Sequence, residues 1–480
     1  MGKGGEATTL RSVAARLSFI NRPDPADGFY DQGMLGLGFD ATTPSKNYSP
    51  GMDPSSINDP GWLPRADASS GKKPPRDFAV EGLRGFAALS VFFSHILNGS
   101  VGSWHVPAWC ARLWPMQAAE AVMVFFCLSG YVIGLNYHEE PGPPPAGQVV
   151  RSYLWKRFLR LMPVNFIAVM LACAVAASLD WTLVLTNLFF LQNYCDYAGK
   201  WIFVLETNSN LWSLNYEVLF YLLFIPILLY RPRLWIVGAT ALAIALLGWY
   251  TPYVPVFAAC YAAGFLFWLA GLALARHTAP VNAGSSNWPT CLLLAFVTWK
   301  VQFLRHLLAG YPTPYFLGPI VTLYALDFLP VAVWLLAAVA RRDVPYFRFL
   351  KLTSALIPLG GFLCVLRKTG ALPDQEFCFA AGIYVLALAL WWWKPSLLWF
   401  RWLAPVGAIS FALYALSRPI QEWVFRNGQS LPSTLPSYLL CAGVVTVMSV
   451  LLACYVDLRL GPQIKQAWGA PPGSASRRAG

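Results

Sequence analysis

Residues 77–99 read DFAVEGLRGFAALSVFFSHILNG, and this stretch decides the fold. From Phe78 to Leu97 the chain carries only three ionisable groups, Glu81, Arg84 and His95, and no proline. A helix needs about 20 mostly apolar residues to cross the hydrocarbon core of a bilayer. Arg84 and His95 are eleven residues apart. At about 100° per residue this is within about 20° of three full turns, so both side chains share one face, about 16 Å apart along the axis. Glu81 stands three residues before Arg84, close enough to pair with it. Ionisable groups inside a membrane are costly, which makes each a functional candidate. Arg84 also suits a snorkelling anchor, and a lone membrane histidine commonly does no more than pack. The shared face, with a cation at one end and a base at the other, singles the pair out. The basicity of histidine suits general-base work near neutrality.

The rest of the chain has the same character. Of 480 residues, 57% are hydrophobic and 12% charged, with a formal net charge of +12; the mean hydropathy is +0.49. A soluble domain carries roughly a quarter charged residues. The composition therefore excludes an ordinary soluble enzyme, a disordered protein and a disulfide-stapled secreted module. Nucleic-acid binders concentrate Lys and Arg on one face. Here they fall in short clusters between apolar runs, so the expected partner is a lipid bilayer and no nucleic acid. Apolar segments of helical length lie at 78–97, 117–137, 159–179, 211–230, 234–250, 254–275, 290–308, 318–340, 352–368, 376–393, 402–425 and 437–456. They predict an all-α, polytopic transmembrane helical bundle of about ten to twelve spans. The segment 181–192 is too short for a span and suits the interface.

Residues 1–77 are rich in Gly, Pro, Ser, Asp and Asn and predict a disordered cytosolic tail. They hold no apolar run preceded by positive charge, so no cleaved signal peptide is expected. Residues 78–457 form the predicted transmembrane domain, and 458–480 a cytosolic C-terminal tail. With the N-terminus in the cytosol, the inside segments hold RSYLWKRFLR (151–160), RPR (231–233), Arg276, RRDVPYFRFLK (341–351), Lys394 and Arg401. The opposite segments hold mainly Arg112, Lys200, Arg367, Lys368 and Arg426. The positive-inside rule then places both termini in the cytosol, and the basic excess reports topology. Most of the ten cysteines fall inside spans and read as small buried hydrophobes. Cys110 and Cys195 both fall on the predicted non-cytosolic side, where an oxidising compartment permits a bridge. The five histidines are scattered and no cysteine pair has ligand spacing, so no metal site is expected.

Five segments carry a more specific signal. EGLRGFAALSVFFSHILNG holds an Arg-x10-His pattern; AVMVFFCLSGYVIG (121–134), YLWKRFLRLMPV (153–164), LWSLNYEVLFYLLF (211–224) and VGAISFALYALSRPI (406–420) follow in order. Together they resemble the acyltransferase-3 family of integral membrane O-acyltransferases, over roughly residues 77–457. In the third segment Arg157, Arg160 and Pro163 are in register with the family's basic motif, and the fourth places Glu217. Two positions depart from it: Phe411 replaces a late tyrosine, and Ser417 stands where many members carry a second histidine. Asp457 sits where the family often has an acidic residue.

The resemblance implies transfer of an acyl group, often acetyl, from a CoA thioester to a hydroxyl or sometimes an amine. Acyl-CoA, with acetyl-CoA as the expected form, is then a co-substrate, and no bound cofactor is expected. His95 is assigned as general base, with a short-lived acyl-histidine as the alternative. Arg84, Arg157 and Arg160 would hold the donor, since guanidinium forks grip phosphate. Glu217 would position the acceptor or tune His95. Plain topological anchoring would also explain Arg157 and Arg160. Glu217 could merely answer a buried arginine or a polar backbone group, but the cost of an unpaired carboxylate in a span favours a functional role. Gly130 reads as a site of close helix contact, and His105 as a surface residue. For Lys300, Arg305 and His306, an entry route and interfacial anchoring fit equally, and Asp327 has no evident partner in sequence. The acceptor class stays open among a glycan, a lipid and a small metabolite. A solute transporter, or a non-catalytic relative of the acyltransferases, would share the composition.

Overall fold

The computed structural model of the chain describes residues 77–97, 118–137, 146–193, 203–251, 253–308, 323–369, 375–432 and 434–468. The predicted tail up to residue 76, His105, Cys110 and Cys195 lie outside the described residues. In chain order the helices are α1 (Phe78–Leu97), α2 (Ala118–Asn136), α3 (Ala146–Val175), α4 (Trp181–Leu188), α5 (Leu214–Tyr230), α6 (Leu234–Tyr250), α7 (Val256–His277) and α8 (Trp288–Val301). They continue as α9 (Phe303–Leu307), α10 (Leu329–Val339), α11 (Phe347–Thr369), α12 (Gln375–Ala389), α13 (Trp399–Ala408), α14 (Ser410–Asn427), α15 (Leu435–Cys454) and α16 (Gly461–Trp468). Tighter 3-10 turns at Glu206–Ser213 and Leu323–Phe328 lead into α5 and α10, and a π-helical turn at Tyr455–Leu460 joins α15 to α16. Among the described residues the strands are two short pieces, Ala279–Pro280 (β1) antiparallel to Arg342–Asp343 (β2).

Among the described residues seven helical segments are long and apolar enough to cross a membrane: Phe78–Leu97, Ala118–Asn136, Gly147–Val175, Glu206–Tyr230, Val256–His277, Phe347–Arg367 and Leu435–Trp468. An eighth is the pair α13 and α14, bent by 67°. Shorter apolar helices, Leu234–Tyr250, Leu323–Val339 and Gln375–Ala389, occupy three further predicted spans. The chain is thus an all-α, multi-pass membrane bundle. Several predicted spans are interrupted in ways that hydropathy does not register. The segment 290–308 breaks at Gln302, whose φ of 39° is left-handed, and the segment 402–425 breaks at Ile409.

The third span differs most from expectation. RSYLWKRFLR is part of a thirty-residue helix, where the sequence suggested a loop before a span at 159. No glycine or proline interrupts 148–162. At 1.5 Å per residue such a helix is about 45 Å long and overshoots the hydrocarbon core. Arg151 and Lys156 are exposed, whereas Arg157 and Arg160 are half-buried.

Glycines let the site-bearing helices approach. A Cβ added to Gly82 or Gly85 of α1 would strike the carbonyls of Phe400 or Leu403 on α13, and one on Gly407 would strike the carbonyl of Glu81. The same reciprocal contact joins α2 to α7, where Gly130 meets the Trp268 carbonyl and Gly271 the Cys127 carbonyl. Backbones in such contact fix where Arg84 and Ser129 stand. The outer faces carry Trp235, Leu363, Val385 and Leu440, all more than half exposed, as suits helices in contact with lipid. Among the described residues every cysteine is a free thiol.

Candidate active site

Helices α1, α2, α3, α5 and α14 surround one cleft enclosing about 650 Å³, including its open mouth. Arg84, Arg157, Arg160 and Glu217 all line it, so four of the five residues marked in sequence converge. Its apolar wall comes from Val122, Phe125, Phe126, Leu128, Val132, Ile133, Leu214 and Phe411. Three cations face one carboxylate across this lining.

Each charge is held from behind. Arg84 Nη1 donates to both carboxylate oxygens of Glu81, at 2.9 and 3.0 Å, the pairing that the i, i+3 spacing suggested. The Arg157 guanidinium lies over the rings of Tyr153 and Tyr221, at 5.3 and 5.1 Å from their centroids. Such stacking orients a cation without neutralising it. Its Nε is buried and has no hydrogen-bond partner among the described residues. Arg160, one turn further on, lies in the field of Glu217, Asp457 and Glu81. Glu217 accepts hydrogen bonds from the Tyr221 hydroxyl and from Ser129 Oγ at 3.3 Å. Its recorded partners thus belong to the arginine end of the cleft.

His95 does not line the cleft; it stands beyond the inner end. There Tyr414 OH donates to the Asn210 carbonyl at 2.6 Å and stands 2.7 Å from Ser213 Oγ. Asn210 Nδ2 donates to the Tyr414 carbonyl at 2.8 Å. His95 in turn reaches the Asn210 side chain, with Arg418 beside it. Tyr414 and Ser213 are cleft residues, so this short polar partition connects the cleft to the imidazole.

Asp457 accepts a hydrogen bond from Ala412 N at 3.0 Å and caps α14 from the π-helical turn. Asp327 acquires a partner: its Oδ2 accepts from Leu304 N at 2.8 Å, at the start of α9. Lys300 pairs with Glu376 at 3.9 Å and Arg305 with Gln302 at 3.1 Å, neither on the cleft lining. Gly130 packs as its sequence context suggested.

Sequence reasoning did not mark Asn210, Ser213, Tyr414 and Arg418. Two signals were present: the polar run TNSN (207–210) directly before a span, and Arg418 and Glu422 at i, i+4 inside one.

The family model described as "Acyltransferase domain", for the acyltransferase-3 family, matches residues 77–362, more than half of the chain. Over 254 residues the chain is 30% identical to nodulation protein 10 of Rhizobium leguminosarum bv. viciae, covering 45% of this chain and 65% of that protein. It therefore spans just under two thirds of that relative's length. Over 321 residues it is 24% identical to acyltransferase MdmB of Streptomyces mycarofaciens, covering 59% of this chain and 75% of that protein. No solved structure matches the chain. The family match begins at Asp77, immediately before the Arg84–His95 helix, and runs through the arginine pair and Glu217; the chain belongs to the acyltransferase-3 family.

Proposed function

We propose that the protein transfers an acyl group, acetyl in the simplest case, from acyl-CoA to a hydroxyl of a glycan, lipid or small metabolite. The observation that carries this reading is the cleft with Arg84, Arg157 and Arg160 on its wall and His95 just beyond its inner end. Three guanidinium groups on one wall, only Arg84 of them in a salt bridge among the described residues, with Glu81, suit a polyphosphate-bearing donor. The apolar wall suits the pantetheine arm. Arg84 and His95 are about 16 Å apart along α1, comparable with an extended arm of about 15–20 Å that carries a thioester from held phosphates to the base. Positive-inside bias supports a cytosolic mouth for the donor and cytosolic termini.

A neutral alcohol attacks a thioester poorly. In this reading His95 takes the hydroxyl proton as the oxygen bonds to the acyl carbon, and the C–S bond then breaks to release the thiol. Glu217, held by Tyr221 and Ser129, orders the donor cradle and limits repulsion among the arginines. Positioning along the cleft supplies much of the rate, because both reactants are held in line.

The test uses membranes from cells expressing the full chain, incubated with labelled acetyl-CoA, with products identified by mass spectrometry. Wild-type membranes should yield a labelled ester that His95→Ala membranes lack at equal protein level. A His95→Ala protein that still transfers label would remove His95 from the mechanism. Wild-type protein that moves a solute across liposomes and transfers no label would favour a transporter.

A further inference from the structure

Arg418 is a full charge within α14 that the cleft does not use. The residue is 8% exposed. Its Nη2 is ion-paired with Glu422 at 2.7 Å, and its Nη1 donates to Gln421 Oε1 at 3.4 Å. Its Nε is buried and has no hydrogen-bond partner among the described residues. A buried donor on a charged group is costly to leave unpaired, so one that persists calls for an acceptor that arrives later.

The location of this donor is informative. Tyr414 and Arg418 are four residues apart and share a face of α14. The Tyr414 end of that face holds Asn210 at 2.8 Å. One turn beyond Arg418, Gln421 Nε2 donates to the Phe92 carbonyl at 3.5 Å, three residues before His95 on α1. Arg418 therefore sits between two contacts that bracket the His95 turn, close enough for its charge to act on the imidazole. Glu422 and Gln421 tether the two Nη atoms, which fixes the plane of the guanidinium and with it the direction of the buried, unpartnered Nε–H.

We infer that Arg418 is a further catalytic residue, whose Nε–H holds the oxyanion formed at the acyl carbonyl beside His95. This rests on the acyl-transfer reading above. The acceptor oxygen bonds to the carbonyl carbon while His95 takes its proton, and the carbonyl π pair moves onto oxygen. That oxygen, now anionic, accepts from Arg418 Nε. Collapse restores the carbonyl and breaks the C–S bond, and His95 returns the proton to the departing thiolate. An ester and a free thiol result. A donor tethered before the reaction needs no reorganisation when charge develops, which is where such groups contribute most.

The experiment compares wild type, His95→Ala, Arg418→Ala and Arg418→Lys full-length proteins in membranes supplied with labelled acetyl-CoA, with and without millimolar guanidinium chloride. CoA binding is measured on the same proteins. Arg418→Ala should lose about 10²–10³-fold in transfer rate while its CoA affinity stays within about twofold of wild type. Guanidinium should restore part of the Arg418→Ala rate and none of the His95→Ala rate. Arg418→Lys keeps a cation for Glu422 but has no Nε–H, and should remain impaired although folded. Wild-type transfer by Arg418→Lys, or an Arg418→Ala loss that guanidinium does not relieve, would overturn the inference and leave the role of His95 standing. Wild type that transfers no label would overturn both.

Discussion

The hydroxyls of Tyr414 and Ser213 stand 2.7 Å apart at the inner end of the cleft, between the arginine cluster and His95. A phenol has one hydrogen to give. Tyr414 donates it to the Asn210 carbonyl at 2.6 Å, so Ser213 is the donor in the pair. Tyr414→Phe would remove the side-chain donor to the Asn210 carbonyl and leave Ser213 without this acceptor. A loss of about 1 kcal/mol in stability is expected for a buried hydrogen bond of this kind. Acetyl transfer should fall further than that loss explains, because the partition that orients Asn210 towards His95 loosens. Thermal unfolding in detergent together with label transfer separates the two effects; an unchanged transfer rate would remove Tyr414 from any positioning role.

Arg84 Nη1 donates to both carboxylate oxygens of Glu81 while the guanidinium lines the cleft, and its planar fork of five N–H donors matches a phosphate in a way an ammonium cannot. Arg84→Lys keeps the charge and the pairing with Glu81 but loses the fork. Donor use should suffer more than charge alone predicts. The expected result is a rise of about tenfold in the KM for acetyl-CoA, the size of one charge-assisted hydrogen bond, with a smaller change in kcat. An equal fall in kcat and kcat/KM at constant KM would place Arg84 in the transition state instead of the donor cradle.

The bend between α13 and α14 makes the donor wall and the Tyr414 face meet, and Asp457 secures it. Asp457 Oδ2 reaches Ala412 N, a donor in the first turn of α14 that lacks an intrahelical partner. Asp457→Ala should cost about 0.5–2 kcal/mol, the usual worth of such a cap, and should lower transfer because Ser410, Phe411 and Tyr414 of α14 line the cleft. Asp457→Asn keeps an acceptor oxygen and should recover most of the stability. If Asn behaves like Ala in both unfolding and transfer, the carboxylate charge near Arg160 matters more than the cap.

How much of this was legible in the sequence follows from the range of each interaction. Hydropathy sums over some twenty neighbours along the chain, so α1, α2, α5 and α7 could be placed within a few residues. The Arg84–Glu81 pairing is one turn of helix and equally local. The breaks at Gln302 and Ile409 are held by partners far along the chain: Asp327 reaches Leu304 N, and Asp457 reaches Ala412 N. No window of hydropathy contains such pairs. Asn210 and Tyr414 are 204 residues apart, and Arg418 gains meaning only once α14 lies against the His95 turn of α1. Arginines 157 and 160 fell in register with a family motif, yet their helix begins earlier than hydropathy suggested, because amphipathic turns outside the hydrocarbon lower the average without ending the helix.

Close backbone contact between α2 and α7 yields the last prediction. Gly130 faces the carbonyl of Trp268 and Gly271 that of Cys127, with no room for a methyl group on either side. A Cβ there cannot be accommodated by a side-chain rotation, because the colliding atoms are backbone. Gly130→Ala should therefore destabilise the protein by about 1–3 kcal/mol, the usual cost of overpacking. It should also displace Ser129, whose hydroxyl donates to Glu217, and so lower transfer. Gly443 of α15 is the matched control: its added Cβ meets nothing within 4 Å, and Gly443→Ala should be neutral or slightly stabilising, because alanine is the better helix former. Thermal unfolding of both variants in the same detergent decides the matter. Equal stability in the two would mean that α2 and α7 separate at little cost, and that the glycines do not fix the position of Ser129.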